Sequence, residues 1–321
     1  MGVNTNTKIK VAFIGAGSMA QEHIKAFASF DGVELAGIHS RTTEKAQKMA
    51  QTFSVMNVCS SIDQLWTTTK ADLVVVTVFE VAMLEVALEV MKYPWKVLLE
   101  KPAGYNFEQA EKIAKCTRDN KRSVFVGLNR RFLASTEAAV KSLQEKNEKR
   151  FIHVQDQQSL ETAKIIGHPD VVVKNWMYAN SIHLVDYLTL LGRGEVTKVT
   201  NMQKWEGEKT SLMLSHIEFS SGDVGVYQGI WQGPGPWAVL VNTPSERWEL
   251  RPLEVASIQK AGERKLATVE LANKQDQEFK PGFWRQTEEV LKAVRGESSL
   301  APTIADSLKS MKLVSQIFAV N

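Results

Sequence analysis

From Lys8 to about Gly127, short Val/Ile/Leu-rich runs alternate with helical stretches, the pattern of a parallel sheet built from strand-helix-strand units. The runs predict strands over 9–14, 33–38, 55–59, 72–77, 96–100 and 123–127. Between them Val81, Leu84, Leu88 and Met91 recur at helical spacing, as do Phe107, Ala110 and Ala114, so helices cover the sheet. Past Asn129 the period changes to two. Leu212, Leu214 and His216 alternate with Met213, Ser215 and Ile217, which predicts half-buried antiparallel strands. Such strands are expected over 151–158, 197–205, 211–219, 223–232, 237–243, 246–251, 254–260 and 265–272. Ser221-Gly222 reads as a hairpin turn and Gly233-Pro234-Gly235-Pro236 as a loop. A helix from about Ser181 to Leu191, ended by Gly192, interrupts the strands, and helices over 283–295 and 304–319 close the chain.

The change of period divides the 321 residues into an α/β domain, 1–127, and a second domain, 128–321. Two domains also suit the length, since single cores stop growing near roughly 250 to 300 residues. Thirty-nine basic against 36 acidic residues, a net +3, exclude the electrostatic footprint of a nucleic-acid binder. The most apolar run, Leu73 to Phe79, is far shorter than the roughly 20 residues of a membrane span. Cys59 and Cys116 form no CxxC pair, so a reducing, cytoplasmic home is expected. None of the six histidines has zinc-site spacing, so no metal is expected. Met1 to Asn6 reads as a frayed lead-in.

The first strand runs into Gly15-Ala16-Gly17-Ser18-Met19-Ala20, which opens a helix. In this GxGxxA order Gly15 permits a tight turn, Gly17 lets backbone N–H groups approach a pyrophosphate, and the small Ala20 lets helix and strand pack closely. Together with the amides of Ser18 and Met19 at the positive end of the helix dipole, the segment predicts a dinucleotide site. A carboxylate that would hold the ribose 2′-hydroxyl of NAD is missing at the end of the second strand, where His39-Ser40-Arg41-Thr42 stands. Arg41 can pair with a phosphate, which tilts the expectation toward NADP while NAD stays open; the alternative is a solvated Arg41 at a helix start.

Glu100-Lys101-Pro102 follows the fifth strand at its carboxyl end, where ligands sit in open α/β sheets. A lysine at that mouth is suited to hydrogen-bond a substrate hydroxyl or relay its proton, although Glu-Lys-Pro alone is a common exposed tripeptide. His183 has Asp186 three residues on, and that carboxylate could orient the ring or cap the helix. Trp176 and Tyr178 just before it are candidates to stack on a ring-shaped substrate, with sheet packing as the alternative. Arg130, Arg131 and Lys174 could meet an anionic group or be solvated charge.

In combination, the glycine fingerprint, Glu100-Lys101-Pro102, Gly127-Leu128-Asn129-Arg130-Arg131-Phe132, Ser181-Ile182-His183-Leu184-Val185-Asp186 and Ala301-Pro302-Thr303 through Asp306 resemble the Gfo/Idh/MocA family over nearly the whole chain. The resemblance implies a doubly wound parallel Rossmann sheet followed by an α+β domain whose large, mostly antiparallel open sheet mediates a homodimer or homotetramer. It implies hydride transfer between NAD(P) and a hydroxyl-bearing carbon of a sugar, sugar nucleotide or cyclitol. Lys101 and His183 would be catalytic; Thr77 and Glu100 would join Ser40, Arg41 and the glycine turn at the cofactor; Arg131, Trp176, Tyr178, Asn180 and Asp186 would face the substrate. The chain departs from the family at Ala179, where many members carry Asp, at Val78-Phe79, where Pro and Asn are common, and at Ala82, near where His is often found. Rival readings are a non-catalytic NAD(P)-binding regulator on the same fold and an NAD-dependent redox-assisted glycosidase.

Overall fold

The computed structural model describes residues 8–320, so the lead-in expected at Met1 to Asn6 lies outside them. By its internal contacts the chain forms two compact units. Within the described residues the first holds 8–104, 108–129 and 275–307, and the second holds 105–107, 130–274 and 308–320.

The first unit is built from β1 (Ile9–Ile14), α1 (Ser18–Ala28), β2 (Val33–His39), α2 (Thr43–Phe53), β3 (Val58–Cys59), α3 (Ile62–Thr69), β4 (Leu73–Val76), α4 (Glu80–Val90), β5 (Lys96–Leu99), α5 (Phe107–Asp119, all but its first residue) and β6 (Val124–Val126). The strands are all parallel in the order β3-β2-β1-β4-β5-β6. β4 reads Leu-Val-Val-Val and is buried at every position, as a strand covered on both faces must be. The third strand is shorter than its Val-rich run suggests. Val55 closes α2 instead, its N–H donating to the Ala50 carbonyl at 3.0 Å.

The second unit runs through α6 (Ala134–Lys146), β7 (Phe151–Gln157), α7 (Leu160–Ile166), α8 (Asp170–Lys174), a π-turn over Met177–Ser181 and α9 (Ile182–Leu191). Then come β8 (Val196–Gln203), β9 (Leu212–Phe219), β10 (Val224–Ile230), β11 (Trp237–Asn242), β12 (Glu246–Leu250), β13 (Ala256–Lys260) and β14 (Ala267–Thr268). The sheet order is β14-β13-β12-β11-β7-β10-β9-β8. β7 and β10 run parallel and the other neighbours antiparallel. Ser221-Gly222 turns the β9–β10 hairpin, and the Gly-Pro-Gly-Pro segment is a loop before β11. The helices α6, α7 and α8 are additions to the elements that the two-residue period predicts. Of the apolar side chains of α6 only Ala134, Ala139 and Leu143 are buried, which leaves too weak a stripe to read.

The closing helices are α10 (Lys274–Glu278), α11 (Phe283–Arg295) and α12 (Ile304–Phe318). Helix α11 returns to the first unit, where Val290, Leu291 and Val294 join Phe13, Phe27 and Leu98 in one core. Trp284 stacks on Phe30 with ring centres 4.9 Å apart. Thr303 and Asp306 form reciprocal hydrogen bonds at the start of α12, a capping box that explains this closing segment. Among the described residues no helix is long and apolar enough to cross a membrane.

Gly192 ends α9 in an extended conformation (φ −76°, ψ 138°), not the left-handed one a glycine cap suggests. The glycine is needed for space, because a Cβ there would lie 2.4 Å from the Phe219 ring. Beside it, buried Asp223 accepts hydrogen bonds from the Arg193 guanidinium at 2.7 and 2.8 Å and from the Arg150 amide at 2.9 Å. Burial pushes the Asp223 carboxyl up, but these donors outweigh it and hold it at about 2. A depressed carboxyl stabilises the fold above the ordinary carboxylate range and loses that contribution as pH falls toward 2. Asp223→Asn is therefore expected to cost about 2 kcal/mol in urea unfolding at pH 7, with the gap to the parent chain closing between pH 4 and pH 2.

Candidate active site

Gly15 follows β1 with φ +107°, and a Cβ there would stand 2.6 Å from the Thr77 carbonyl oxygen and 2.7 Å from its hydroxyl. Thr77 is drawn this close by its N–H and its hydroxyl, which both donate to the Ile14 carbonyl, at 2.8 and 3.2 Å. The Gly15 N–H donates to the His39 carbonyl at 2.8 Å, so the ends of β2, β1 and β4 are tied together. Gly17, the N-cap of α1, has open space where a Cβ would stand, and no side chain caps the helix. The first turn carries no acidic residue. The amides at this helix start meet the positive end of the dipole in a cradle that a side chain would fill, which fits an anionic pyrophosphate. Ala20 is fully buried, as close helix-strand packing requires.

A cleft of about 430 Å³ opens here. It is lined by the glycine turn, by His39 to Thr42 and Lys45 after β2, and by Thr77 to Phe79, Ala82, Glu85, Val86 and Glu89 around α4. The cleft lies at the carboxyl ends of β1 and β4, where the strand order reverses. His39 donates from Nδ1 to the Cys59 carbonyl at 3.0 Å, so in the neutral ring Nε2 is the acceptor. Arg41 and Lys45 are exposed and have no ion-pair partner among the described residues. Lys45 is not among the residues singled out from sequence; a second cation four positions after Arg41, where α2 begins, is the signal that marks it.

Lys101 lies half-buried at the carboxyl end of β5. Beside it the Glu100 carboxylate is buried and committed to protein groups. One oxygen accepts the Lys101 N–H at 2.7 Å and the other pairs with His23 Nε2 at 3.2 Å. His23 is itself fully buried against the Phe283 ring. Sequence reasoning singled out Glu100 but not this partner 77 residues away, and nothing local to His23 marks it.

In the second unit His183 stands on the first turn of α9, half-buried, with its ring centre 6.0 Å from that of Trp237. Asp186 is buried and takes the Arg131 guanidinium on both oxygens, at 2.7 and 2.8 Å, with the Ser310 hydroxyl at 2.6 Å. Two expected substrate residues are thus bound to each other. Trp176 and Asn180 are brought together by Gln158, whose side-chain oxygen accepts from both, at 2.9 and 2.8 Å. Tyr178 is completely buried, and burial pushes its hydroxyl up to about 12. Ala179 is buried within the π-turn. Gln158 is a residue that the sequence reading missed, since a glutamine beyond a strand end carries no signal of its own.

The two glycines make opposite predictions. Gly15→Ala meets both a strained φ and the Thr77 carbonyl, so it is expected to lower the melting temperature as well as abolish dinucleotide binding. Gly17→Ala should fold with the parent melting temperature yet bind dinucleotide at least about tenfold more weakly, because its methyl group occupies the cradle. Thermal unfolding and fluorescence titration with NADPH and NADH check both.

Residues 9–128 match the model of an oxidoreductase family with an NAD-binding Rossmann fold, Gfo/Idh/MocA. A 4-carboxy-2-hydroxymuconate-6-semialdehyde dehydrogenase of Sphingobium sp. is 25% identical over 124 residues, 39% of this chain and 39% of that protein. The chain thus aligns with well under half of that curated relative. Solved structures match at greater length. A dehydrogenase from Chromobacterium violaceum superposes with a TM-score of 0.84 at 17% identity, over 98% of this chain and 95% of that one. Levoglucosan dehydrogenase in complex with NADH gives 0.81 at 16% identity, over 97% of this chain and 96% of that one. At such identities the structural likeness carries the fold, a parallel Rossmann sheet followed by a mostly antiparallel one. Over residues 9–128, well under half of its length, the chain thus matches the model of the Gfo/Idh/MocA NAD-binding Rossmann-fold oxidoreductases.

Proposed function

We propose that this protein is an NAD(P)-dependent dehydrogenase or reductase acting on a hydroxyl-bearing carbon of a sugar, sugar nucleotide or cyclitol. The observation that carries the reading is the open cradle at Gly17 beneath uncapped amides, within the stretch that matches a family of NAD-binding oxidoreductases. The levoglucosan dehydrogenase of the same fold, solved with NADH, supports the substrate class. When bound, NAD(P) supplies hydride chemistry at its nicotinamide C4.

Each side chain has an assigned task. The amides at Gly15, Gly17, Ser18, Met19 and Ala20 hold the pyrophosphate, and Thr77 and Glu100 shape the nicotinamide side. Ser40 and Arg41, joined by Lys45, hold a ribose 2′-phosphate, so NADP is preferred over NAD. Lys101 Nζ donates a hydrogen bond to the reacting oxygen, and His183 accepts the hydroxyl proton. Trp176 and Asn180 meet the substrate, Tyr178 fixes the turn between them from the core, and the Arg131–Asp186 pair holds the base of the His183 helix.

The outward face of the second sheet supports a homodimer or homotetramer. Leu240, His153 and Val226 lie side by side across three strands, with Phe151 and Leu212 exposed near the strand ends. The two free cysteines fit a reducing cytoplasm.

Turnover is screened with levoglucosan, myo-inositol and UDP-N-acetylglucosamine against both cofactors. Lys101→Ala is expected to drop kcat by about 10²- to 10⁴-fold while NADPH binding stays within about threefold. Normal turnover in that variant refutes the assignment. The Arg41→Ala/Lys45→Ala double variant should raise KM for NADP at least about tenfold and leave that for NAD nearly unchanged. Sedimentation velocity should show a dimer or tetramer, and a monomer at micromolar concentration would rule the interface out.

A further inference from the structure

The second unit holds a fully buried carboxylate, Asp156 on β7, whose surroundings contain a directional chain of hydrogen bonds. The Tyr227 hydroxyl donates to one oxygen at 2.7 Å, and Gln158 Nε2 donates to the other at 2.5 Å. A carboxylate accepts only, so Gln158 must turn its NH₂ toward Asp156 and its oxygen away. The indole of Trp176 donates only, and it meets that oxygen at 2.9 Å, which fixes the same orientation independently. The second group on the Gln158 oxygen, at 2.8 Å, is therefore the NH₂ of Asn180. The Asn180 oxygen is left pointing elsewhere, and it accepts no hydrogen bond from the described residues. Asn180 is half-buried, at the end of the π-turn that leads into the helix of His183.

We propose that Gln158, held by Asp156, is a positioning residue that locks the Asn180 side chain with its oxygen presented to a substrate hydroxyl, so that the site selects a polyol offering a proton at that point. This rests on the reading that Asn180 faces the substrate. Neither Asp156 nor Gln158 touches the substrate. Polarity passes from the buried charge through one amide to the next, and the outermost atom is an acceptor by necessity.

Moving the charge from position 156 to position 158 tests the lock. In Asp156→Asn, the group at position 156 both donates and accepts and no longer dictates which end of Gln158 faces it, so the Gln158 NH₂ is free to turn toward Trp176 and Asn180 and the lock on Asn180 is lost. Adding Gln158→Glu restores an acceptor facing Trp176 and Asn180, while its other oxygen accepts from the amide introduced at position 156. Measurements at pH 8 keep Asp156 ionised in the parent, since burial raises its carboxyl to about 6. With the panel sugar that the parent turns over best, Asp156→Asn is expected to raise KM by about 10- to 100-fold with kcat and NADPH affinity within about threefold. The Asp156→Asn/Gln158→Glu double variant should return KM to within about threefold of the parent. A purely structural role would move melting temperature without this split. The proposal is overturned if the folded single variant keeps its KM, or if the double variant is no better than the single. The Trp176 indole N–H resonance gives a substrate-free reading. Its hydrogen-bonded shift should be lost in the single variant and regained in the double, and an unmoved resonance overturns the orientation. If the parent turns over no panel sugar, the functional reading fails while this resonance still decides the Gln158 claim.

Discussion

The cleft of the first unit depends on how closely the ends of β1 and β4 approach. Two donors from Thr77 converge on the Ile14 carbonyl, which brings the Thr77 carbonyl to a distance from Gly15 that no Cβ tolerates. The chain can leave β1 only through a left-handed glycine, and that geometry sends it directly into α1. The second glycine then stands where the helix amides need clearance. With Val78-Phe79 following β4, the tie between the strands comes from the Thr77 hydroxyl and amide, and Phe79 is left largely exposed at the start of α4.

Buried carboxylates in the second unit show how compensation decides the sign of an electrostatic effect. Asp223 and Asp156 are both removed from solvent and both hydrogen-bonded. Asp223 has a guanidinium in two-pronged contact and is held at about 2. Around Asp156 the donors are a phenol and an amide, and burial wins, raising it to about 6. Neutral donors reduce the desolvation cost without cancelling it. The first arrangement stabilises the fold, while the second gives up stability for a fixed hydrogen-bond direction in the interior.

Much of this architecture is legible in the sequence because its signals are local. Period-two and period-3.6 patterns locate the strands and the long helices, and the glycine turn declares itself within six residues. The position of Lys101 follows from counting strands. What escapes is set by contacts distant in the chain. The return of α11 to the first core is invisible in a helix that reads as merely amphipathic. His23 acquires its role from Glu100 on another element, and Gln158 from Asp156, Trp176 and Asn180 together. Short helices such as α8 bury too few apolar side chains for a period to emerge. Local chemistry also misleads where a residue has two uses, as when Gly192 serves the Phe219 ring and not a left-handed cap.

The alanine at 179 has a physical reading in the same terms. It lies inside the π-turn, almost without solvent exposure, flanked by fully buried Tyr178 and half-buried Asn180. A carboxylate at that depth would need a cation or several strong donors to repay its desolvation. Polar contact on this turn instead comes from a neutral amide one residue later, aligned by the Gln158 oxygen at 2.8 Å. Under the proposed function this exchanges charge for direction. An aspartate binds any donor strongly and also raises the proton affinity of a nearby imidazole, whereas an oriented amide oxygen accepts from an alcohol without adding a charge; like the carboxylate, it offers nothing to a carbonyl. A site built this way binds the hydroxyl form of its substrate better than the oxidised form at the carbon it reads, by the difference of one hydrogen bond, about 1 kcal/mol.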